Sequence, residues 1–356
     1  MATQTKLTAA SAYSSRDVRA AKEEWSERYL MGPVIVPAAA ALTRRAGAHA
    51  LAVRAAAPRR DANVVGVGVA EKIVDGKPTG VLAVKFFVKT KYPRGSVRSA
   101  LPKTIDGVPT DVEQAGTFRA FKRRRKAAAS GATLPNPRVR MRPALPGCSV
   151  GFRIAGDQFV MGGTFGALVK TSSKVYILSN NHVLADENRL PIGSPIFQPA
   201  LLDHGRIALD QIAELSRFVK LKANRFNKID AALAEPLNRN LVGREVLHIG
   251  APAGTVAAAI DMMVHKFGRT TSYTLGRVTS VDTDVTVEYE TGNFTFEKQI
   301  IIQGANRQMF SDHGDSGSII LQRGSNAAVG LLFGGGPDHT IANHIADVLR
   351  SLRVRL

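Results

Sequence analysis

The stretch Asp312-His313-Gly314-Asp315-Ser316-Gly317-Ser318 decides how the rest of this 356-residue chain is read. Two glycines bracket a serine, and the apolar run Ile319-Ile320-Leu321 follows directly. Glycine adopts backbone angles that strain other residues, so the pattern predicts a tight turn feeding a strand. Backbone N–H groups in such a turn can converge on one point, which is what a developing oxyanion needs. Taken alone, the stretch fits a structural turn as well.

Two further stretches lie upstream. Tyr176-Ile-Leu-Ser-Asn-Asn-His182-Val-Leu-Ala185 reads as an apolar strand running into a polar turn that presents a histidine. Lys228-Ile-Asp230-Ala-Ala-Leu233 sets an acid inside an apolar run. A buried carboxylate needs a partner, and an imidazole N–H suits it. Each is weak alone: a histidine after a strand and an aspartate at a strand start are both common. The combination is stronger. The order is His, Asp, Ser, with separations of 48 and 86 residues.

With that order and those three motifs, Gly147–Leu356 resembles the trypsin-like (chymotrypsin-fold) serine protease superfamily, in a disulfide-free bacterial form with an N-terminal extension. The resemblance implies a mainly β fold of two antiparallel β-barrels closed by a C-terminal helix. It implies catalytic roles for His182, Asp230 and Ser316, and an oxyanion hole from the backbone N–H groups of Gly314 and Ser316. It also implies a substrate pocket with Phe310 at its base, His313 near its mouth and a wall of Leu332, Phe333 and Gly334. Phe310 is not an acid, so small or medium uncharged residues are expected before the cleaved bond; Asp312 or His313 in the pocket would change that preference. The family's usual Gly-Asp-Ser-Gly-Gly ends here in Ser318. No Ile-Val-Gly-Gly precedes the first barrel to supply an ammonium to Asp315. Either another donor meets that carboxylate, or the site forms only after cleavage or binding.

Composition sets the remaining bounds. Hydrophobic residues make up 44 %, enough for a sizeable core. The single cysteine, Cys148, excludes an intramolecular disulfide and favours a reducing, cytoplasmic setting. In Pro-Gly-Cys-Ser it reads as a small packed residue. The N-terminal stretch lacks an apolar leader core, and Arg44, Arg45 and Arg54 interrupt the Ala-rich run at 37–58, so neither a secretory signal nor a membrane span is expected. His204, His248, His265, His339 and His344 show no ligand spacing, so no metal and no cofactor are expected. The net charge of +19 is uneven: residues 1–142 hold 27 Lys and Arg against 10 Asp and Glu, and residues 143–356 are nearly balanced.

Four segments are expected. Residues 1–62 read as a tail with helices near Ser15–Met31 and in the Ala-rich run. Residues 63–117 read as a small α+β module. Its hairpin spans Asn63–Val74 and Gly80–Lys91 about an Asp-Gly-Lys-Pro-Thr turn, and a short helix near Gly95–Leu101 and a strand near Val108–Gln114 follow. Residues 118–146 read as a basic, Pro-containing linker around Lys122–Lys126. The remainder, 147–356, holds many short apolar strands, among them one near Gln158–Val160, and a final helix at Ile341–Leu352. The leading functional reading is a serine endopeptidase acting on protein or peptide substrates. The alternative is a pseudo-protease, or a nucleic-acid-associated or acidic-partner binding protein using the basic N-terminal region.

Overall fold

The computed structural model describes residues 15–31, 62–93, 100–120, 134–153 and 161–356. The Ala-rich run, most of the Gly95–Leu101 stretch, the Lys122–Lys126 block and the Gln158–Val160 stretch lie outside the described residues. The chain divides into two compact units. The first is residues 1–116 with Asp284–Thr286; the second is 117–283 with 287–356.

In the first unit, helix α1 (Ser15–Ser26) carries Val18, Ala21, Lys22 and Trp25 on one stripe, the spacing of a single helical face. Strands β1 (Val64–Val74) and β2 (Lys77–Val88) form the expected antiparallel hairpin, rich in β-branched residues. Strand β3 (Thr104–Ile105) turns into β4 (Val108–Gln114), which runs parallel to β2. Val18, Leu30, Val67, Val84, Phe86 and Val108 form the core of this unit, with Trp25 and Tyr29 packed on Phe86.

The second unit opens with the short β5 (Arg119–Ala120). Its first sheet contains β6 (Ser149–Phe152), β7 (Gly163–Thr164), β8 (Ala167–Lys170), β9 (Val175–Ser179), β10 (Pro195–Phe197), β11 (Gln211–Phe218) and β13 (Ala232–Pro236), in the order β7-β6-β10-β11-β13-β9-β8. A four-residue helix, α2 (Asn181–Leu184), follows β9. Strand β12 (Phe226–Asn227) leaves this sheet and runs parallel to β16.

The second sheet contains β14 (Met263–Gly268), β15 (Ser272–Tyr289), β16 (Gly292–Gly304), β17 (Ile319–Gln322), β18 (Ala328–Gly335) and β19 (Thr340–His344), in the order β16-β19-β18-β17-β14-β15. Strand β16 also pairs with β15, so this order returns to its start as a barrel. The apolar runs at residues 277–281 and 285–289 both lie in the one long strand β15. Helix α3 (Ile345–Leu352) closes the chain. The helix expected from Ile341 is therefore shorter: Ile341–His344 is strand, paired with β16 on one side and β18 on the other.

One apolar cluster joins the first sheet, α3 and strands β14, β17 and β18 of the second sheet, through Phe165, Ile177, Leu233, Phe267, Leu331 and Val348. A second cluster fills the β14–β19 barrel with Val264, Ile300, Ile302, Phe310, Ile320 and Leu332. Residues 134–146, read as part of the linker, pack against this unit. Ala144 is buried and its N–H bonds the Leu241 carbonyl, and Arg140 meets the buried carboxylate of Asp210 at 2.8 Å.

Candidate active site

Strand β9 delivers His182. Its last residues and the turn after it, Ser179-Asn180-Asn181-His182, are buried. Buried polar side chains must find partners, and here they fix the turn. Asn180 Nδ2 donates to the Asp230 carbonyl at 2.7 Å, and Asn181 Nδ2 donates to the Val219 carbonyl at 2.8 Å. His182 Nδ1 lies 2.5 Å from Asp230 Oδ2, with both side chains fully buried.

Asp230 is well supplied with donors. Oδ1 accepts from the backbone N–H of Asn181 at 2.6 Å and of His182 at 3.3 Å. Oδ2 accepts from His182 and from the Tyr289 hydroxyl at 2.8 Å. The Asp230 N–H donates to Asn343 Oδ1, and Asn343 Nδ2 donates to Gln299 Oε1. Burial, reinforced by the Asp230 charge, pushes the Tyr289 hydroxyl well above its ordinary pKa of 10, so it remains a donor. With Nδ1 engaged, His182 presents Nε2 as its other nitrogen, and among the described residues that atom has no hydrogen-bond partner.

The Ser316 turn sits beside the histidine turn. Gly317 has φ +93°, and a Cβ there would lie 2.1 Å from Ser179 Oγ and 2.4 Å from the Thr164 carbonyl oxygen. Only glycine lets the two turns approach this closely. Ser316 Oγ donates to the Phe333 carbonyl at 3.4 Å and makes no hydrogen bond to His182. Such contacts are often long before substrate arrives. The Asp315 N–H bonds the Asp312 carbonyl, whereas the N–H groups of Gly314 and Ser316 on either side donate to no acceptor among the described residues. Ser318 Oγ donates back to the Asp315 carbonyl at 2.6 Å, so the serine that departs from the usual glycine tightens the turn.

Asp315 has its donor. Lys266 Nζ, from β14, lies 3.3 Å from Asp315 Oδ2, and both side chains are fully buried. Thr270 N–H, Thr271 N–H, Thr271 Oγ1 and Asp312 N–H complete the shell. Burial pulls the Lys266 ammonium below its ordinary pKa, and the Asp315 charge opposes that pull. Of the two sequence expectations for Asp315, another donor is the one present.

The pocket residues are distributed as follows. Phe310 lies in the barrel's apolar cluster, with Lys266 Nζ 5.6 Å from its ring centre. Leu332 is in the same cluster, and its backbone pairs with Gly317 and Ser318. Phe333 is buried against Phe296. Gly334 faces the Arg119 backbone. The His313 carbonyl accepts from Thr270 Oγ1. Cys148 is buried and its thiol is pushed up to about 12, which leaves it inert as a nucleophile. Among the described residues no group of three or more His, Cys, Asp or Glu could hold a metal ion, and no helix is long and apolar enough to cross a membrane.

Tyr289, Lys266 and Asn343 were not legible as site residues in the sequence. Each comes from a strand whose alternation gives no sign of which side it faces.

No protein-family model matches the chain, and no curated protein sequence matches it. Among solved structures, the chain is similar to Thermobifida fusca Protease A at 18 % identity and TM-score 0.43, over 60 % of this chain and 97 % of that one. It is similar to a glutamic acid specific serine protease at 17 % and 0.42, over 60 % and 99 %. It is similar to the Nocardiopsis protease at 18 % and 0.41, over 60 % and 97 %.

Proposed function

We propose that this chain is a serine endopeptidase that hydrolyses peptide bonds through an acyl-enzyme. The observation that carries the reading is the buried His182–Asp230 pair, whose Nε2 has no hydrogen-bond partner among the described residues and whose turn lies beside the Ser316 turn. Ser316 Oγ attacks the scissile carbonyl while His182 Nε2 takes its proton. The N–H groups of Gly314 and Ser316 receive the oxyanion; one such donor typically contributes about 3 kcal/mol. His182 then gives the proton to the leaving amine. Water, activated by the same nitrogen, releases the acyl group and restores the serine. Asp230 keeps Nδ1 protonated and stabilises the imidazolium. The Lys266–Asp315 pair supports a turn that needs no freed N-terminus. An intact set of three residues favours an enzyme over a pseudo-protease.

Ser316→Ala removes one hydroxyl and little packing, so the fold should survive. Fluorophosphonate labelling and peptide hydrolysis should vanish, with a rate loss on the order of 10⁶-fold. Undiminished labelling of Ser316→Ala would sink the assignment.

A further inference from the structure

One edge of β18 carries three things in succession. Strand β17 pairs with it up to Leu331. The turn after the serine takes Leu332: Gly317 N–H donates to the Leu332 carbonyl at 2.8 Å, and Leu332 N–H donates to the Ser318 carbonyl at 3.0 Å. Beyond Phe333 the partner is β5, antiparallel, with Ala120 opposite Gly334 and Arg119 opposite Gly335. Strand β19 pairs with β18 over the same residues, so β5 and the serine turn share one side. Phe333 lies between them, and its carbonyl is the one Ser316 Oγ reaches. Successive residues in a strand advance about 3.3 Å, so Ala120 lies roughly one residue from the nucleophile's position along this edge.

The segment is anchored. Phe118 is fully buried, edge-on to His339, and its carbonyl accepts from Glu288 N–H at 2.9 Å. Arg119 Nε meets Glu288 Oε2 at 2.9 Å. The edge is shaped for close backbone approach: a Cβ on Gly334 would lie 2.8 Å from the Arg119 carbonyl oxygen. With β5 in place, Ser316 and His182 are buried to 0 % and 1 % exposure.

We propose that residues 118–120 are the resident ligand of the candidate active site. They hold, in antiparallel sense, the strand position that an extended peptide would take by adding to the β18 edge. An incoming substrate must displace them, so the full chain is self-restrained and the substrate class is extended peptide able to replace β5. This rests on Ser316 being the nucleophile. The apparent affinity for a substrate is lowered by the fraction of molecules in which β5 is docked.

The test uses the full chain and two readouts: hydrogen exchange of the Leu331–Gly336 amides and the rate of fluorophosphonate labelling. Phe118→Asp removes the buried anchor. Arg119→Glu, at an exposed position, sets like charges together without disturbing the core. Phe118→Asp should speed both readouts at least about 10-fold, as loss of a buried aromatic anchor implies. Arg119→Glu should speed both by about 2- to 5-fold, the scale of an exposed ion pair. A synthetic peptide of sequence Thr-Phe-Arg-Ala should slow labelling of Phe118→Asp again. Unchanged exchange in a folded Arg119→Glu and in Phe118→Asp would show that β5 does not hold this edge. Faster exchange with unchanged labelling would overturn the restraint while leaving the nucleophile standing. Faster exchange with no labelling in any form, wild type included, would overturn the nucleophile and the restraint with it.

Discussion

Tyr289 and His182 share one oxygen of Asp230, while two backbone N–H groups hold the other. The aspartate is thus fixed from both sides, and the tyrosine adds a donor that burial keeps protonated. Tyr289→Phe keeps the ring packing on Phe294 and Phe296 and deletes only that donor. A hydrogen bond to a charged group contributes about 1.5–3 kcal/mol, so kcat/KM should fall by roughly 10- to 100-fold with little change in KM. Equal kcat/KM for the two forms would show that Tyr289 is packing alone. Lys266 gives a second prediction at this scale. Its folded pKa lies below the unfolded one, so the unfolded state holds more protons between the two values and stability rises with pH across that window. The proposed activity should run the other way. As pH climbs through the lowered pKa the ammonium is lost and Asp315 is left without its counter-charge. An alkaline limb in kcat/KM should therefore fall below the ordinary lysine value of 10.5. Lys266→Arg keeps its charge and should shift that limb upward; an unmoved limb would assign it elsewhere. Lys266→Met strands a buried carboxylate and should cost about 3–5 kcal/mol in a denaturant melt.

At the scale of elements, the local motifs were readable and the long-range partners were not. His182 stands where a strand runs into a turn, and Asp230 and Ser316 stand where a strand is about to begin, patterns that sequence alone displays. Lys266 in Met-Val-His-Lys-Phe-Gly could face solvent as easily as the interior, because register, not composition, chooses the face of a strand. The last helix is four residues shorter than its apolar spacing predicts, for a related reason. Ile341, Ile345, Val348 and Leu352 keep helical spacing, yet pairing on both edges makes Ile341–His344 a strand. Strand β5 is two residues long and leaves no periodicity to detect. The elements also bear on specificity. Phe310 and Leu332, from beside the serine turn and from β18, are apolar and packed together. The Lys266 ammonium lies over the Phe310 ring. In the proposed pocket, a lysine or arginine side chain would meet no acid at position 310 and a charge of its own sign nearby. Small or medium uncharged residues should therefore dominate before the cleaved bond in a peptide library, with Ser316→Ala as the blank. A dominant Arg or Lys preference would point to Asp312 instead, and a Glu or Asp preference to His313.

At the scale of the whole molecule, the basic stretch 134–146 is held by the second unit. The five consecutive bases Lys122–Lys126 stand between the first unit and the barrels in sequence, and trypsin cleaves after such residues. From Leu134 onward the chain is tied to the second unit. Met141 N–H donates to Gln198 Oε1, Arg142 Nη2 donates to the Gln198 carbonyl, and Arg140 meets Asp210. Cleavage requires the backbone to leave its partners and extend, so hydrogen-bonded, partly buried arginines are poor sites even though their chemistry suits the protease. Brief trypsin treatment of the Ser316→Ala chain, which removes self-cleavage from the picture, should therefore cut within Lys122–Lys126. The main product should begin between Arg123 and Ala127 by mass spectrometry, with Arg138 and Arg140 intact. Early fragments beginning at Val139 or Met141 would mean that residues 134–146 are not held against the barrel.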